Sequence, residues 1–263
     1  MGLNLRPAAV AGTFYPEHQD QLERLVGNLL ASAVRQELPQ APLRAVLVPH
    51  AGYIYSGPVA ASAFSLLRRG EFSAVSLWGP SHHFSFSGVA ENPHLLWQIP
   101  GKVFSCTPRR PAKNADLRLD LDRIHEAEHS LEVELPFLAQ KLPDALLDPV
   151  LFGEILPALA LDRLVSGLDT HTLIVVSSDL SHYYPQARAR KLDTQLLEAV
   201  LQGDVEGILE GEACGKFPLA ALVLWAKSNG WKAWLLDYRT SADTAGSPES
   251  VVGYAAVAWL DGT

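Results

Sequence analysis

The stretch LRAVLVPHAGY at residues 43–53 joins an apolar run to a polar turn, and the same arrangement returns twice along the chain. Residues 73–83, SAVSLWGPSHH, and residues 172–182, TLIVVSSDLSH, again place a turn and a histidine directly after an apolar run. Short apolar runs bounded by turn residues are typical of buried strands. These three segments therefore predict strands that end in turns with polar residues.

The rest of the chain continues the pattern of apolar runs and helical periodicity. Strands are predicted over 43–49, 73–79, 145–152, 172–178, 231–238 and 250–259. Helices are predicted over 18–33, 58–69, 129–142, 157–168, 185–202 and 216–229, where apolar residues recur three or four positions apart. Alternating strands and helices predict an α/β fold with a mixed sheet covered by helices. Residues 84–118 are interpreted as hairpins or an ordered excursion, so that residues 1–263 form a single domain.

Composition limits the function classes. The chain has 263 residues, of which 48% are hydrophobic and 19% charged, with a net charge of -8, which is typical of a globular protein and disfavours nucleic acid or an anionic membrane as partner. No apolar segment approaches the roughly 20 residues that span a bilayer, and the first residues do not resemble a signal peptide. Only Cys106 and Cys214 are present, which fits reduced thiols, and we expect a cytoplasmic location.

Ligands bind beyond the carboxyl ends of strands in open α/β sheets, and here three predicted strand ends each carry a histidine. They are His50, His82, which His83 follows, and His182. One such histidine is more often a hydrogen-bonded side chain than a ligand, but three independent cases favour a site. Imidazole and thiolate suit iron, zinc or copper better than magnesium or calcium.

Other polar residues allow two interpretations each. Cys214, just before the predicted helix from 216, is either a thiolate favoured by the helix dipole or a buried core residue, whereas Cys106 is assigned to the core. Glu128 and His129, in EAEHSLEVELPF, either cap a helix or take part in chemistry. Asp179 could cap a turn or orient a histidine. Asp243, in TSADTAG, could line the opening of the same candidate site, although the interpretation as an ordinary turn residue is favoured.

Ordered motifs over nearly the whole chain resemble the Memo family, and within it the branch called AmmeMemoRadiSam system protein B. The motifs are RPAAVAGTFYP at 6–16, VPHAGYIYSGPVAA at 48–61, GPSHH at 79–83, EHSLEVELPFL at 128–138, SSDLSHY at 177–183, ACGKFP at 213–218 and RTSADTAG with VVGYAA at 239–256. The resemblance implies a fold similar to that of class III extradiol dioxygenases.

Carried over motif by motif, the resemblance implies a metal ion held by His50, His82 and Cys214. It implies that His182 is an acid/base histidine. The resemblance and the position of the motifs together place further residues in or around the pocket: Asp179, His129, Glu128, His83, Tyr53 and Asp243.

The ligand set suggests the metal and the reaction. A thiolate in place of the dioxygenase carboxylate keeps the charge of the ligand set but replaces a hard oxygen ligand by a soft sulfur ligand. We expect one metal ion, with Fe(II) favoured and copper or zinc as alternatives. The first hypothesis is a metal-dependent redox enzyme, the second an adaptor that binds phosphopeptide-like ligands in the same pocket, and the third a zinc-dependent hydrolase. Expected partners are a small-molecule or peptide substrate and, from the resemblance, radical SAM and AMMECR1-like proteins of the same system.

Overall fold

The computed structural model describes residues 4–107 and 120–262. Its strands are β1 (Leu5–Arg6), β2 (Leu43–Val48), β3 (Ala74–Pro80), β4 (Val89–Glu91), β5 (Leu96–Ile99), β6 (Lys102–Ser105), β7 (Leu146–Phe152), β8 (Thr172–Ser177), β9 (His182–Tyr184), β10 (Lys232–Thr240) and β11 (Val251–Leu260). All the predicted strands are therefore present, with ends shifted by at most a few residues.

The helices lie between these strands. They are α1 (Gln19–Ala31), α2 (Tyr53–Phe64), α3 (Leu121–Glu126), α4 (Leu135–Lys141), α5 (Pro157–Leu164), α6 (Gln186–Gln202), α7 (Val205–Glu210) and α8 (Lys216–Ser228). Short 3-10 turns add Glu132–Glu134, Val165–Gly167 and Ser241–Asp243. Within the described ranges, no helix has both the length and the apolar character needed to cross a membrane.

The main sheet is mixed, with the order β10-β11-β2-β8-β3-β7-β4 and β9 paired to β11. Strands β2, β8, β3 and β7 run parallel to one another, while β4 and β11 pair antiparallel with β7 and β2, and β10 pairs antiparallel with β11. A smaller sheet has the order β1-β5-β6. This architecture confirms the predicted α/β class. Because β2, β3 and β8 are parallel, their carboxyl ends share one edge of the sheet.

Apolar side chains cover both faces of this sheet. On β2, Val46 and Val48 belong to one buried cluster, whereas Ala45 and Leu47 belong to the other. Side chains alternate across a strand, so an unbroken apolar run places one residue in each core in turn. Helices α1, α2 and α4 pack together over the first cluster, and α5, α7 and α8 over the second.

Two helices differ from their predicted bounds. The helix predicted over 58–69 spans Tyr53–Phe64 and contains Pro58 in its interior. Proline ordinarily favours a first turn, but nine of the twelve residues of this helix are buried, and tertiary packing overrides the local preference. The helix predicted over 129–142 begins only with the turn Glu132–Glu134 and continues as α4.

The excursion predicted over 84–118 contains structure of its own. Strand β4 pairs with β7, and β5 and β6 form an antiparallel hairpin. These pairings agree with the hairpins that the sequence indicated. Residues 108–119 of this prediction lie outside the described residues.

Candidate metal centre

Three histidine rings converge at the edge of the sheet where the parallel strands end. His50 follows β2, His82 follows β3, and His129 lies in the segment before α4. One potential ligand atom from each ring lies within 4.8 Å of the other two. The centroid of the His82 ring is 5.2 Å from that of His50 and 4.5 Å from that of His129. The structure thus brings together His50 and His82, as the strand ends indicated, and adds His129.

His50 is held on several sides. Its backbone N–H donates to Oδ1 of Asp179 at 2.9 Å, and its Nδ1 lies 2.7 Å from Oγ of Ser177. The other ring nitrogen, Nε2, lies 3.3 Å from Sγ of Cys214. Burial, reinforced by the neighbouring histidines His82 and His129, lowers the pKa of His50 well below its usual value. The ring is therefore neutral at pH 7, as a metal ligand must be.

His82 is oriented by a buried carboxylate. Oε2 of Glu128 accepts the backbone N–H of His82 at 2.6 Å, and Oε1 lies 2.9 Å from Nδ1 of the ring. Burial alone would raise the pKa of Glu128, but the hydrogen bonds and charge of His82 and the backbone N–H of Ser130 outweigh it and lower the pKa to about 2. A carboxylate that accepts from Nδ1–H leaves the lone pair on Nε2. His82 is thereby prepared to ligate through Nε2.

Glu128 also makes contacts that agree with its capping interpretation, while a part in chemistry stays a prediction. Its Oε1 also accepts the backbone N–H groups of His129 and Ser130, each at 2.9 Å. These bonds shape the turn before α4 in the manner of a cap. One carboxylate therefore fixes the backbone around His129 and the ring of His82 together.

His129 reaches the cluster because its segment packs closely on β3. Its ring stacks on that of His82 with an interplanar angle of 25°, and Nδ1 lies 3.4 Å from Oε1 of Glu128. Burial lowers the pKa of His129 to about 4. A Cβ at Gly79 would lie 2.7 Å from Leu131 Cδ2, so a glycine is needed there. Predicted as a pocket residue, His129 is a candidate ligand by geometry.

Cys214 lies against the cluster beside His50, in the loop before α8. Its Sγ accepts the backbone N–H of Asp179 at 3.3 Å. Close approach depends on Gly215, where a Cβ would lie 2.8 Å from the carbonyl oxygen of Ser177. Burial, with a contribution from Asp179, raises the pKa of the Cys214 thiol to about 12. In the metal-free protein the thiol is therefore protonated, which agrees with the interpretation of Cys214 as a buried residue rather than as a free thiolate. Its role as third ligand stays a prediction.

Asp179 and His182 both follow β8. Burial raises the pKa of Asp179 to about 7, although backbone N–H groups of His50 and Ala51 oppose the shift. Because Asp179 accepts the N–H of His50, it positions that residue. Burial lowers the pKa of His182, and the nearby His82 lowers it further. His182 is partly exposed, so it combines proximity to the cluster with access from solvent.

The remaining predicted pocket residues have different surroundings. The hydroxyl of Tyr53 donates to the carbonyl of Val133 at 2.6 Å and thereby supports the turn before α4. His83 is exposed and lies edge-on to His129, with ring centroids 6.3 Å apart. Asp243 caps its own 3-10 turn through Thr240 and pairs with Arg190 at 2.7 Å, in agreement with the favoured turn interpretation.

The other cysteine lies in the apolar core. Cys106 is buried within the main apolar cluster, and burial raises the pKa of its thiol to about 12. Its assignment to the core is confirmed.

A buried arginine supports the segment that carries His129. Arg6 donates to the backbone carbonyl of Glu128 and to Oε2 of Glu132, each at 2.6 Å. Glu132 also accepts the hydroxyl of Tyr15 at 2.6 Å. Sequence reasoning missed this network, although it had a signal: two glutamates inside the apolar string LEVELPFL require buried partners.

The donor set is suited to a transition metal. Imidazole ligates zinc, copper, iron and nickel, and His50 and His82 have their Nδ1 atoms engaged by protein groups. The side chain of His82 is 29% exposed, whereas His50 is 2% exposed. The cluster can therefore hold a metal ion that is buried on the His50 side and open on the His82 side.

Comparisons with known proteins relate the chain to one family. A family model described as "Memo-like protein" matches residues 6–258. A MEMO1 family protein of Methanococcoides burtonii is 36% identical over 270 residues, covering 96% of this chain and 99% of that protein. A MEMO1 family protein of Aquifex aeolicus is 34% identical over 277 residues, covering 98% of this chain and 100% of that protein. One from Methanosarcina barkeri is 32% identical over 268 residues, covering 96% and 99%.

Proposed function

The chain belongs to the Memo-like protein family, and from that membership and its histidine cluster we propose that it is a metal-dependent redox enzyme. We propose that it uses one Fe(II) or copper ion and acts on a small molecule or peptide. The observation that carries the proposal is the convergence of His50, His82 and His129 within 4.8 Å, beside a thiol 3.3 Å from His50.

The residues present fit a resident metal ion. Nδ1 of His50 is engaged by Ser177 and Nδ1 of His82 by Glu128, so each ring can present Nε2. Burial of His50 favours its neutral form. We propose His50 and His82 as two ligands and Cys214 as the third, with His129 as the alternative for that position. When bound, an iron or copper ion would supply one-electron chemistry toward O2 and an organic substrate.

The surrounding residues have separate tasks. Asp179 holds the backbone of His50 in place through its 2.9 Å hydrogen bond. His182 is proposed to move a proton at the substrate, because burial lowers its pKa and keeps the ring neutral and able to accept. A positioned acid/base group contributes roughly 10² to 10⁴-fold in rate.

A second function is favoured by one feature of the site. Three histidines are a ligand set of catalytic zinc centres, in which bound water is activated for hydrolysis. If His129 rather than Cys214 is the third ligand, the cluster matches that set. Metal identity separates the two functions, because zinc has no redox chemistry.

The experiment is anaerobic purification followed by reconstitution with Fe(II), Cu(I) or Zn(II) and elemental analysis. We expect about one equivalent of iron or copper and a loss of that equivalent in His50→Ala. The control His171→Ala, which changes an exposed histidine just before β8, should retain it fully. O2 consumption with ascorbate as reductant should follow the bound metal. Retention of zinc alone, with ester hydrolysis and no O2 uptake, would support the second function. A protein that takes up none of the three ions would refute both.

A further inference from the structure

A further buried carboxyl group, that of Glu134, lies behind the cluster, and no part of the proposed chemistry uses it. Glu134 ends the 3-10 turn before α4 and is fully buried. Its Oε1 lies 3.0 Å from Oγ of Ser177. Among the described residues, no hydrogen-bond partner reaches Oε2. A charged carboxylate with one oxygen unpaired in the protein interior is strongly disfavoured.

The hydrogens around Ser177 can be counted. Its Oγ has three close neighbours: the carbonyl oxygen of Ser130 at 2.6 Å, Nδ1 of His50 at 2.7 Å and Oε1 of Glu134 at 3.0 Å. A hydroxyl donates one hydrogen and accepts two. The carbonyl of Ser130 can only accept, so it takes the hydrogen of Ser177. The other two neighbours must then donate.

This count fixes two protons. His50 carries a hydrogen on Nδ1, which leaves the lone pair on Nε2. Glu134 carries a hydrogen on Oε1, which leaves Oε2 as a neutral carbonyl oxygen, the less costly group to bury without a partner. An ionised Glu134 would instead need the single hydrogen of Ser177, and the 2.6 Å contact between Ser177 and Ser130 would have none. Burial, with a contribution from Asp179, raises the pKa of Glu134 well above its usual value, in agreement with the count.

We infer that Glu134 is a neutral carboxylic acid that acts through Ser177 as a positioning residue, holding His50 in the tautomer whose Nε2 can bind a metal ion. The functional part of this inference rests on the proposed metal centre. The protonation state and the tautomer do not, because both belong to the metal-free protein.

The first test therefore uses metal-free protein at pH 7. Infrared difference spectra between the wild type and Glu134→Gln should show that the substitution removes the C=O band of a protonated carboxyl group. Asp179 is a nearby buried acid whose pKa is raised to about 7, so it can contribute a band of its own, which should be unchanged between the two proteins. In histidine labelled with ¹⁵N, the shifts that disappear in His50→Ala should report hydrogen on Nδ1. A missing carboxyl band, or hydrogen on Nε2, would overturn the inference.

The second test measures metal affinity. Glu134→Gln keeps a donor in place of the carboxyl hydrogen, so its affinity should stay near that of the wild type. Glu134→Leu and Ser177→Ala should each weaken binding by about 10 to 100-fold, as is usual for residues that orient ligands. The exposed Glu126→Gln is the matched control. Equal affinity in Ser177→Ala and wild type would overturn the positioning role.

The two tests distinguish a failure of the proposed metal centre from a failure of the inference about Glu134. If the wild type binds no metal ion, the proposed function is wrong, and the spectra of the metal-free protein still decide the state of Glu134. If Glu134→Leu does not fold, the spectra of the wild type and of Glu134→Gln still decide the protonation state of Glu134, and Ser177→Ala still tests the positioning role.

Discussion

Oε1 of Glu128 accepts a hydrogen bond from Nδ1 of His82 at 2.9 Å, and this contact links the sheet edge to the segment that carries His129. The partner oxygen Oε2 takes the backbone N–H of His82 at 2.6 Å. The orientation of one candidate ligand thus depends on a carboxylate that also shapes the backbone of another.

Glu128→Gln should weaken metal binding by about 10 to 100-fold, because the ring of His82 loses the charged acceptor that orients it. The measurement is the dissociation constant for each reconstituted ion, with circular dichroism to verify folding. Glu126→Gln, which changes an exposed glutamate two residues away, serves as control and should bind normally. Equal affinities in the two variants would contradict the orienting role.

Cys214 provides a prediction about protons. Because burial raises the pKa of the thiol to about 12, it is protonated at pH 7 and must lose its proton to ligate as thiolate. Metal binding should therefore release about one proton from this group, and this ligand should make affinity rise as pH rises. Calorimetry in buffers of different ionisation enthalpy measures the release.

The matched variant is Cys214→Ser, in which the proton release should disappear. If the wild type and Cys214→Ser release the same number of protons, the third ligand is not this thiol. That result would point to His129.

Close packing of the His129 segment on β3 should be sensitive to one methyl group. In Gly79→Ala the new Cβ would lie 2.7 Å from Leu131 and 2.9 Å from Oγ of Ser130, and such overpacking costs about 1 to 3 kcal/mol. We expect that loss in the free energy of unfolding measured with urea, together with weaker metal binding. Gly167→Ala, where no atom lies within 4 Å, should change neither quantity, and an equal loss in both variants would exclude the steric explanation.

The buried pair of Arg6 and Glu132 should be costly to break. Both side chains are 0% exposed, and Arg6→Met leaves a buried carboxylate without its cation, which costs about 3 to 5 kcal/mol. Urea unfolding measures the loss. The exposed pair of Arg69 and Asp144, at 3.9 Å, is the comparison, and Arg69→Met should change stability by less than about 1 kcal/mol. A loss below about 1 kcal/mol in Arg6→Met as well would mean that the Arg6 pair does not stabilise the fold.

The sequence predicted the sheet and part of the site for one physical reason. His50 and His82 directly follow strands that run parallel, so the edge they share follows from strand direction alone. His129 could be placed near the site by its motif, but its contact with the other rings depends on packing of a distant segment against Gly79, which local pattern does not encode.

The supporting residues were harder to predict. Ser177 is the last residue of β8, and Glu134 lies in an apolar string; only the folded chain shows that they meet behind His50. The early start of α2, with Pro58 inside it, was also hidden from the sequence, since burial of nine of the twelve helix residues outweighs the local preference of proline.

The most direct test of the metal centre is an anomalous difference map from a crystal of reconstituted protein, collected at the absorption edge of the bound metal. We predict a single strong peak within bonding distance of Nε2 of His50 and of His82, with Cys214 or His129 as the third ligand and with nitrogen ligands at about 2.0 to 2.1 Å if the ion is zinc. A map with no peak there, or with its peak elsewhere in the molecule, would contradict the account.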